Sequence, residues 1–138
     1  MMTKSALEKL SKIRLTEAKI LFESKNYSGS YYLAGYSIEL AIKVCISKLI
    51  IGNTIPDKAF LNEIYQHKLT DLIKVAGLEN QFKDDCKVDS ELAARWAIIT
   101  KWSENTRYEF TDEYSSASLL DAIENKKHGV FLWITKHW

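Results

Sequence analysis

The 138-residue chain is predicted to fold as an all-α protein, a single-domain antiparallel helical bundle of four to five main helices with short accessory helices. Three observations predict this. One proline and five glycines leave long stretches uninterrupted, which favours long helices over many short strands. Apolar residues recur at three- and four-residue intervals along most of the chain, and no alternating strand pattern of useful length appears. A content of 46% hydrophobic and 27% charged residues is that of a globular chain able to bury a core. There is no internal repeat, so residues 1–138 are read as one domain.

The first helix is expected from about Lys4 to Lys25. Leu7, Leu10, Ala18 and Leu21 form its stripe, widened by Ile13, Ile20 and Phe22, while Lys4, Glu8, Lys12, Lys19 and Glu23 fall mainly on the other side. Asn26, Ser28 and Gly29 in "NYSGS" supply stop and cap residues. The stretch "SYYLAGYSIELAIKVCISKLIIG", Ser30 to Gly52, follows as the second helix. It is apolar nearly all round, so it is expected at the centre of the bundle, surrounded by other helices. At 100° per residue Tyr32, Tyr36, Glu39, Lys43 and Ile46 share one face. Gly35 costs roughly 1 kcal/mol relative to alanine inside a helix, which points to close approach by a neighbouring helix. Gly52 and Pro56 in "GNTIPD" are expected to end the helix.

Beyond Asp57 the elements shorten. "DKAFLNEIY" suits about two turns. "HKLTDLIKVAGL" suits a helix with Leu69, Leu72, Ile73 and Ala76 inward and Gly77 as its stop. "ENQFKDDCKVD" fits either a short surface helix or a mobile loop. "SELAARWAIITKWSE" reads as a helix with Leu92, Trp96, Ile99 and Trp102 on one side. "NTRYEFTDEYSS" reads as a polar, aromatic-rich connection. A final helix is expected from about Ser115 to the end, with Gly129 as a soft spot or a second close crossing.

Several function classes are disfavoured. With 19 lysines and arginines against 18 acids, the chain has no overall attraction for nucleic acid, although a local basic patch is compatible with that balance. Cys45 and Cys86 are too few and too far apart for a disulfide framework or zinc site, and they fit free thiols in a reducing compartment. No second histidine or cysteine stands at ligand spacing from His67, so no metal is expected. "MMTKSALEKLSKIRL" has no continuous apolar core and does not read as a signal peptide. The longest apolar run is broken by Glu39 and Lys43 and does not read as a membrane span. A soluble, cytoplasmic protein without a cofactor is the expectation.

In combination, "YYLAGYSIELAIKVCI", then "HKLTDLIKVAGL", then "WSENTRY", then a last helix ending "VFLWITKHW", resemble the HEPN superfamily of prokaryotic helical-bundle domains over essentially the whole chain. The resemblance implies a bundle of four or five helices, often dimeric. Relatives serve in toxin–antitoxin pairs with small nucleotidyltransferases, in phage defence and in RNA cleavage. Possible partners are therefore a second copy, a nucleotidyltransferase, and an RNA or nucleotide ligand. Cleaving relatives carry an arginine followed after four to six residues by a histidine: the imidazole moves a proton and the guanidinium stabilises phosphorane charge. Here Asp112, Glu113 and Tyr114 stand where that histidine would follow Arg107. Thr100, Lys101 and Trp102 stand there after Arg95, and Arg14 has no histidine nearby. Ribonuclease activity is therefore not carried over.

The candidate site residues are Glu39, Lys43, His67, Asp71, Arg107 and Tyr108. Glutamate four residues before lysine is the favourable helical pair, but in a buried helix both need partners. The plainer expectation is a buried polar network fixing helix register, with Arg107 as its natural third member because a guanidinium bonds a carboxylate bidentately. The sharper expectation is a ligand pocket. His67 is expected either to cap its helix or to face a ligand as an acid–base group near Arg107, with Asp71 one turn on to orient it. His67 and Arg107 are also the pair an unconventional ribonuclease would use. Tyr31, Tyr32, Tyr36, Trp102, Tyr108, Phe110 and Tyr114 are expected near the same region, as packing and interface anchors rather than as a base-stacking platform.

Overall fold

In the computed structural model, which describes residues 2–138, every described element is helical. In chain order these are α1 (Lys4–Glu23), α2 (Tyr27–Ser47), α3 (Lys58–Ile64), α4 (Leu69–Val75), α5 (Glu79–Val88), α6 (Ser90–Ile99), α7 (Glu113–Glu124) and α8 (Val130–Thr135). A 3₁₀ turn, Glu104–Tyr108, links α6 to α7. Helices α1, α2, α5, α6 and α7 have ten or more residues and the other three are short, which is the expected all-α bundle.

Helix α2 is the axis. From Ser37 to Ile46 every residue is buried, and α1, α4, α7, α8 and the 3₁₀ turn all pack against it. Ile38, Ile42 and Ile46 are fully enclosed, each worth about 1.5–3 kcal/mol over an exposed position. Ser30 Oγ donates to the Ala18 carbonyl at 2.7 Å, pinning the α1–α2 hairpin where small residues let the helices approach. The α1 stripe that faces inward is Leu7, Ser11, Leu15 and Ala18, while Ile20, expected inside, is 57% exposed. The hairpin turns at Lys25, not at Gly29. Lys25 adopts φ +63°, with Asn26 N–H donating to Leu21 O and Lys25 N–H to Phe22 O, the paired bonds of a left-handed helix stop. Gly77 ends α4 in the same way at φ +74°, as expected.

Two boundaries differ from expectation, and one open alternative is decided. Helix α2 ends at Ser47, five residues before Gly52, and its last N–H groups bond back three residues instead of four. Leu49, Ile50 and Ile51 lie beyond the packed core and are 49%, 42% and 71% exposed, so nothing holds the helix there. The stretch read as helix or loop is a true helix, α5, anchored by buried Phe82 edge-on against Trp96 and Trp133. The final helix is two. Asn125 Oδ1 accepts from the N–H groups of Lys127 and His128, an alternative to the helical ladder that turns the chain. A Cβ at Gly129 would lie 2.5 Å from Asn125 O, so this glycine serves a tight backbone turn, not a helix crossing.

Gly35 also has an unexpected neighbour. A Cβ there would sit 2.3 Å from the indole of Trp102, a buried side chain just past α6 that also stacks on Tyr32. The close approach is by a ring, not by a helix backbone. At the C-terminus, Trp138 Nε1 donates to Ala41 O and Trp133 Nε1 to Asp85 Oδ2, so both indoles are packing anchors.

Gly35→Ala is expected to destabilise the fold by about 1–3 kcal/mol in urea unfolding, because the indole has no room to move. Gly52→Ala, with nothing within 4 Å, should stay within about 0.5 kcal/mol of the parent. A second expectation concerns acid. Asp89 accepts the Leu92 N–H at the start of α6 and holds His128 Nδ1 at 2.8 Å, and this bond to His128 keeps its carboxyl below the ordinary value of 3.8. A carboxyl lowered in the folded state stabilises that state above its unfolded pKa, and the contribution is lost as pH falls through the folded value. The melting temperature should therefore drop below about pH 4, and Asp89→Asn should show a shallower drop than the parent.

Candidate functional site

Glu39 and Lys43 stand one turn apart in the buried middle of α2, 1% and 7% exposed. The ammonium lies 3.2 Å from Glu39 Oε2. Glu39 Oε1 is met by His67 Nδ1 at 3.0 Å, from the segment that enters α4. The other ring nitrogen, Nε2, lies 3.2 Å from Glu104 Oε2 in the 3₁₀ turn. The result is a chain of four groups, Lys43–Glu39–His67–Glu104. It runs from the core to a half-open surface where the His67 and Glu104 side chains are 43% and 41% exposed. Both carboxylate contacts of the ring are attractive together only when each nitrogen carries a proton. His67 thus does not cap α4, and its side chain is the third partner that Glu39 requires.

Arg107 does not take that role. Its guanidinium lies over the Tyr108 ring, 4.9 Å from the centroid. Tyr108, then Tyr32, push the guanidinium further above its usual range. No carboxylate oxygen among the described residues lies within 4.0 Å of it. Glu104, at the start of the 3₁₀ turn, reaches His67, whereas Arg107, three residues on, lies over Tyr108. Asp71 sits half-buried in the first turn of α4 without a bond to His67. Glu104 is the residue that sequence reasoning missed. The three-residue spacing in "ENTR" was the available signal.

The aromatic cluster divides in two. Tyr32 stacks between Tyr36 and Trp102 with centroids 6.1 Å away on each side, and these rings are wholly or partly buried. Burial, then the Glu39 carboxylate, push the Tyr36 phenol up, which places that ring beside the polar chain. Tyr108, Phe110 and Tyr114 instead are 76%, 103% and 81% exposed, interleaved with Glu109, Asp112 and Glu113. The other histidines are engaged structurally: His128 with Asp89, and His137 Nδ1 with Trp133 O at 2.9 Å. Burial raises the Cys45 thiol to about 11, and burial followed by Asp89 and Asp85 raises Cys86, so neither is an activated nucleophile. No group of three or more potential metal ligands is assembled among the described residues. None of their helices is long and apolar enough to cross a membrane.

Chemically, the arrangement offers an imidazole held between two carboxylates and, on the same 3₁₀ turn as Glu104, a guanidinium without a carboxylate partner among the described residues. The guanidinium suits an anionic or carbonyl-bearing ligand. The imidazole has no idle ring nitrogen to act as a base unless Glu104 moves away.

Removing one partner of the buried pair should be costly. Glu39→Ala leaves the Lys43 ammonium unpaired in the core and is expected to cost about 3–5 kcal/mol in urea unfolding. Replacing Glu39 and Lys43 together with leucine should restore most of that loss. Glu104→Ala, at the exposed end, should cost less than about 1 kcal/mol. A cost for Glu39→Ala no larger than for Glu104→Ala would contradict the network.

The sequence matches no known protein-family model, and comparison with curated proteins and with solved structures returns no significant match.

Proposed function

We propose that this chain is a HEPN-type helical-bundle binding or interaction protein without the arginine–histidine ribonuclease motif. In this reading it works as a dimer in a nucleotide- or RNA-linked system such as toxin–antitoxin or phage defence. One observation carries the proposal. Three of the sequence pieces behind the resemblance, "YYLAGYSIELAIK", "HKLTDL" and "WSENTRY", contribute Glu39 and Lys43, His67, and Glu104 to one chain of contacts, and Arg107 follows Glu104 on the same 3₁₀ turn. Pieces far apart in sequence that meet around unlike charges suit a shared site better than three separate packing needs. Arg107 is the ligand-facing member, and the buried pair positions the helix and loop around it.

A second reading, a metal-independent endoribonuclease using His67 as base and Arg107 on phosphate, is less well supported because both nitrogens of His67 face carboxylates. A third makes the chain a structural partner of a small nucleotidyltransferase.

Three measurements separate these. Light scattering should give a dimer. Single-stranded or structured RNA, or the product of a neighbouring gene, should bind the parent, with binding weakened about ten-fold or more by Arg107→Ala. RNA incubated with the protein without metal should stay intact. Cleavage abolished by both His67→Ala and Arg107→Ala would install the second reading. If Arg107→Ala and Lys43→Ala left stability, dimerisation and binding all unchanged, the site assignment would fail.

A further inference from the structure

Behind the polar chain, where α1, the C-terminal end of α2 and α3 meet, lies a cleft of about 360 Å³. Its walls are apolar: Leu7 from α1, Ile46 from α2, Ile50 just past it, and Leu61, Ile64 and Tyr65 from α3 and its end. Among the described residues, the one charged side chain lining it is Lys43. From this juxtaposition we propose that the cleft is a binding site for a medium-chain aliphatic carboxylate, with its head on the Lys43 ammonium and its tail along α3.

The Lys43 side chain is more than nine-tenths buried, and one acceptor among the described residues meets its ammonium, Glu39 Oε2 at 3.2 Å. An ammonium carries three N–H donors. Glu39 is shared with His67, so the buried cation has donors to spare and only part of a counter-charge. The cleft gives access to these donors, and a ligand carboxylate entering it can accept from them. The walls decide the rest of the ligand. They offer no second charge and mainly methyl and methylene surface, with Ile50 and Tyr65 42% and 64% exposed at the mouth. At roughly 30 Å³ per non-hydrogen atom, the share of one water in the liquid, the space holds about a dozen such atoms. That corresponds to a carboxylate of about ten carbons in all, near twelve non-hydrogen atoms. A nucleotide fits this cleft poorly, since neither a second cationic side chain nor a stacking pair of rings lines it among the described residues. The site shares Lys43 with the polar chain but does not depend on the HEPN reading.

The full chain is titrated with sodium decanoate, with decanol and with decyltrimethylammonium, read by calorimetry and by thermal unfolding. Decanoate is expected to bind one per chain and raise the melting temperature. Decanol should bind about ten-fold more weakly or worse, the value of one charge-assisted hydrogen bond, and the cation should not bind. Ile64→Trp fills the cleft without touching Glu39, Lys43 or His67. It should abolish decanoate binding while leaving dimerisation and any RNA or protein binding as in the parent. Lys43→Met should weaken decanoate about ten-fold or more. If Lys43→Met unfolds, Ile64→Trp decides alone. No decanoate binding, equal binding of decanol, or full binding by Ile64→Trp would each overturn the proposal. Loss of RNA or partner binding in Arg107→Ala with decanoate binding intact would show the two sites to be separate.

Discussion

Glu39 places a carboxylate, 1% exposed, in the middle of the helix against which α1, α4, α7, α8 and the 3₁₀ turn pack. A charge so placed has to be matched where it stands, because desolvation costs several kcal/mol per ion unless partners and hydrogen bonds replace the lost water. Lys43 supplies one partner from the next turn of the same helix. His67 supplies the other from a segment 28 residues away. This second contact does more than offset charge. It fixes where the loop ahead of α4 must pass, and with it the register of α4 on α2.

From that buried end the chain of contacts opens outward. His67 touches Glu104, which begins the 3₁₀ turn, and three residues later the same turn presents Arg107 over Tyr108. Burial thus falls along the chain of contacts from the carboxylate–ammonium pair to the half-exposed Glu104, and the same turn carries the exposed Arg107. The buried end is rigid because every move there breaks an ion pair in low dielectric. The open end is free to meet a ligand, since its charges are hydrated and their mutual contacts are worth little. The aromatic rings follow the same division. Tyr32, Tyr36 and Trp102 form a stack at the base, whereas Tyr108, Phe110 and Tyr114 stand in water beside it. Gly35 makes the base possible, since only a residue without a Cβ admits the Trp102 indole against α2.

Helical periodicity made most of the fold legible. The long α1, the all-round apolar α2 and the glycine stop of α4 could be read because each is a local property: a stripe, an absence of polar faces, a residue able to adopt φ +74°. The errors cluster where a local preference met a distant partner. α5 looked weak because one residue, Phe82, carries its burial and the rings it meets lie elsewhere in the chain. The break at Asn125 was hidden because a single amide oxygen, not a proline, competes with the helix. α2 ended early although Leu49, Ile50 and Ile51 are apolar, because hydrophobicity extends a helix only where something packs against it.

For the site, the sequence by itself determined that an unlike-charged pair would lie inside the central helix and would need a third partner. Both conclusions follow from spacing and from the cost of an isolated buried charge. Tertiary structure alone decided which residue that partner is. Arg107 has the better chemistry for a carboxylate, but the 3₁₀ turn delivers Glu104 to the inner position and leaves the guanidinium outside, while the approach to α4 delivers His67. Residue type sets what a side chain can bond. The path of the backbone sets which partner arrives, and that path depends on packing among helices far apart in the chain.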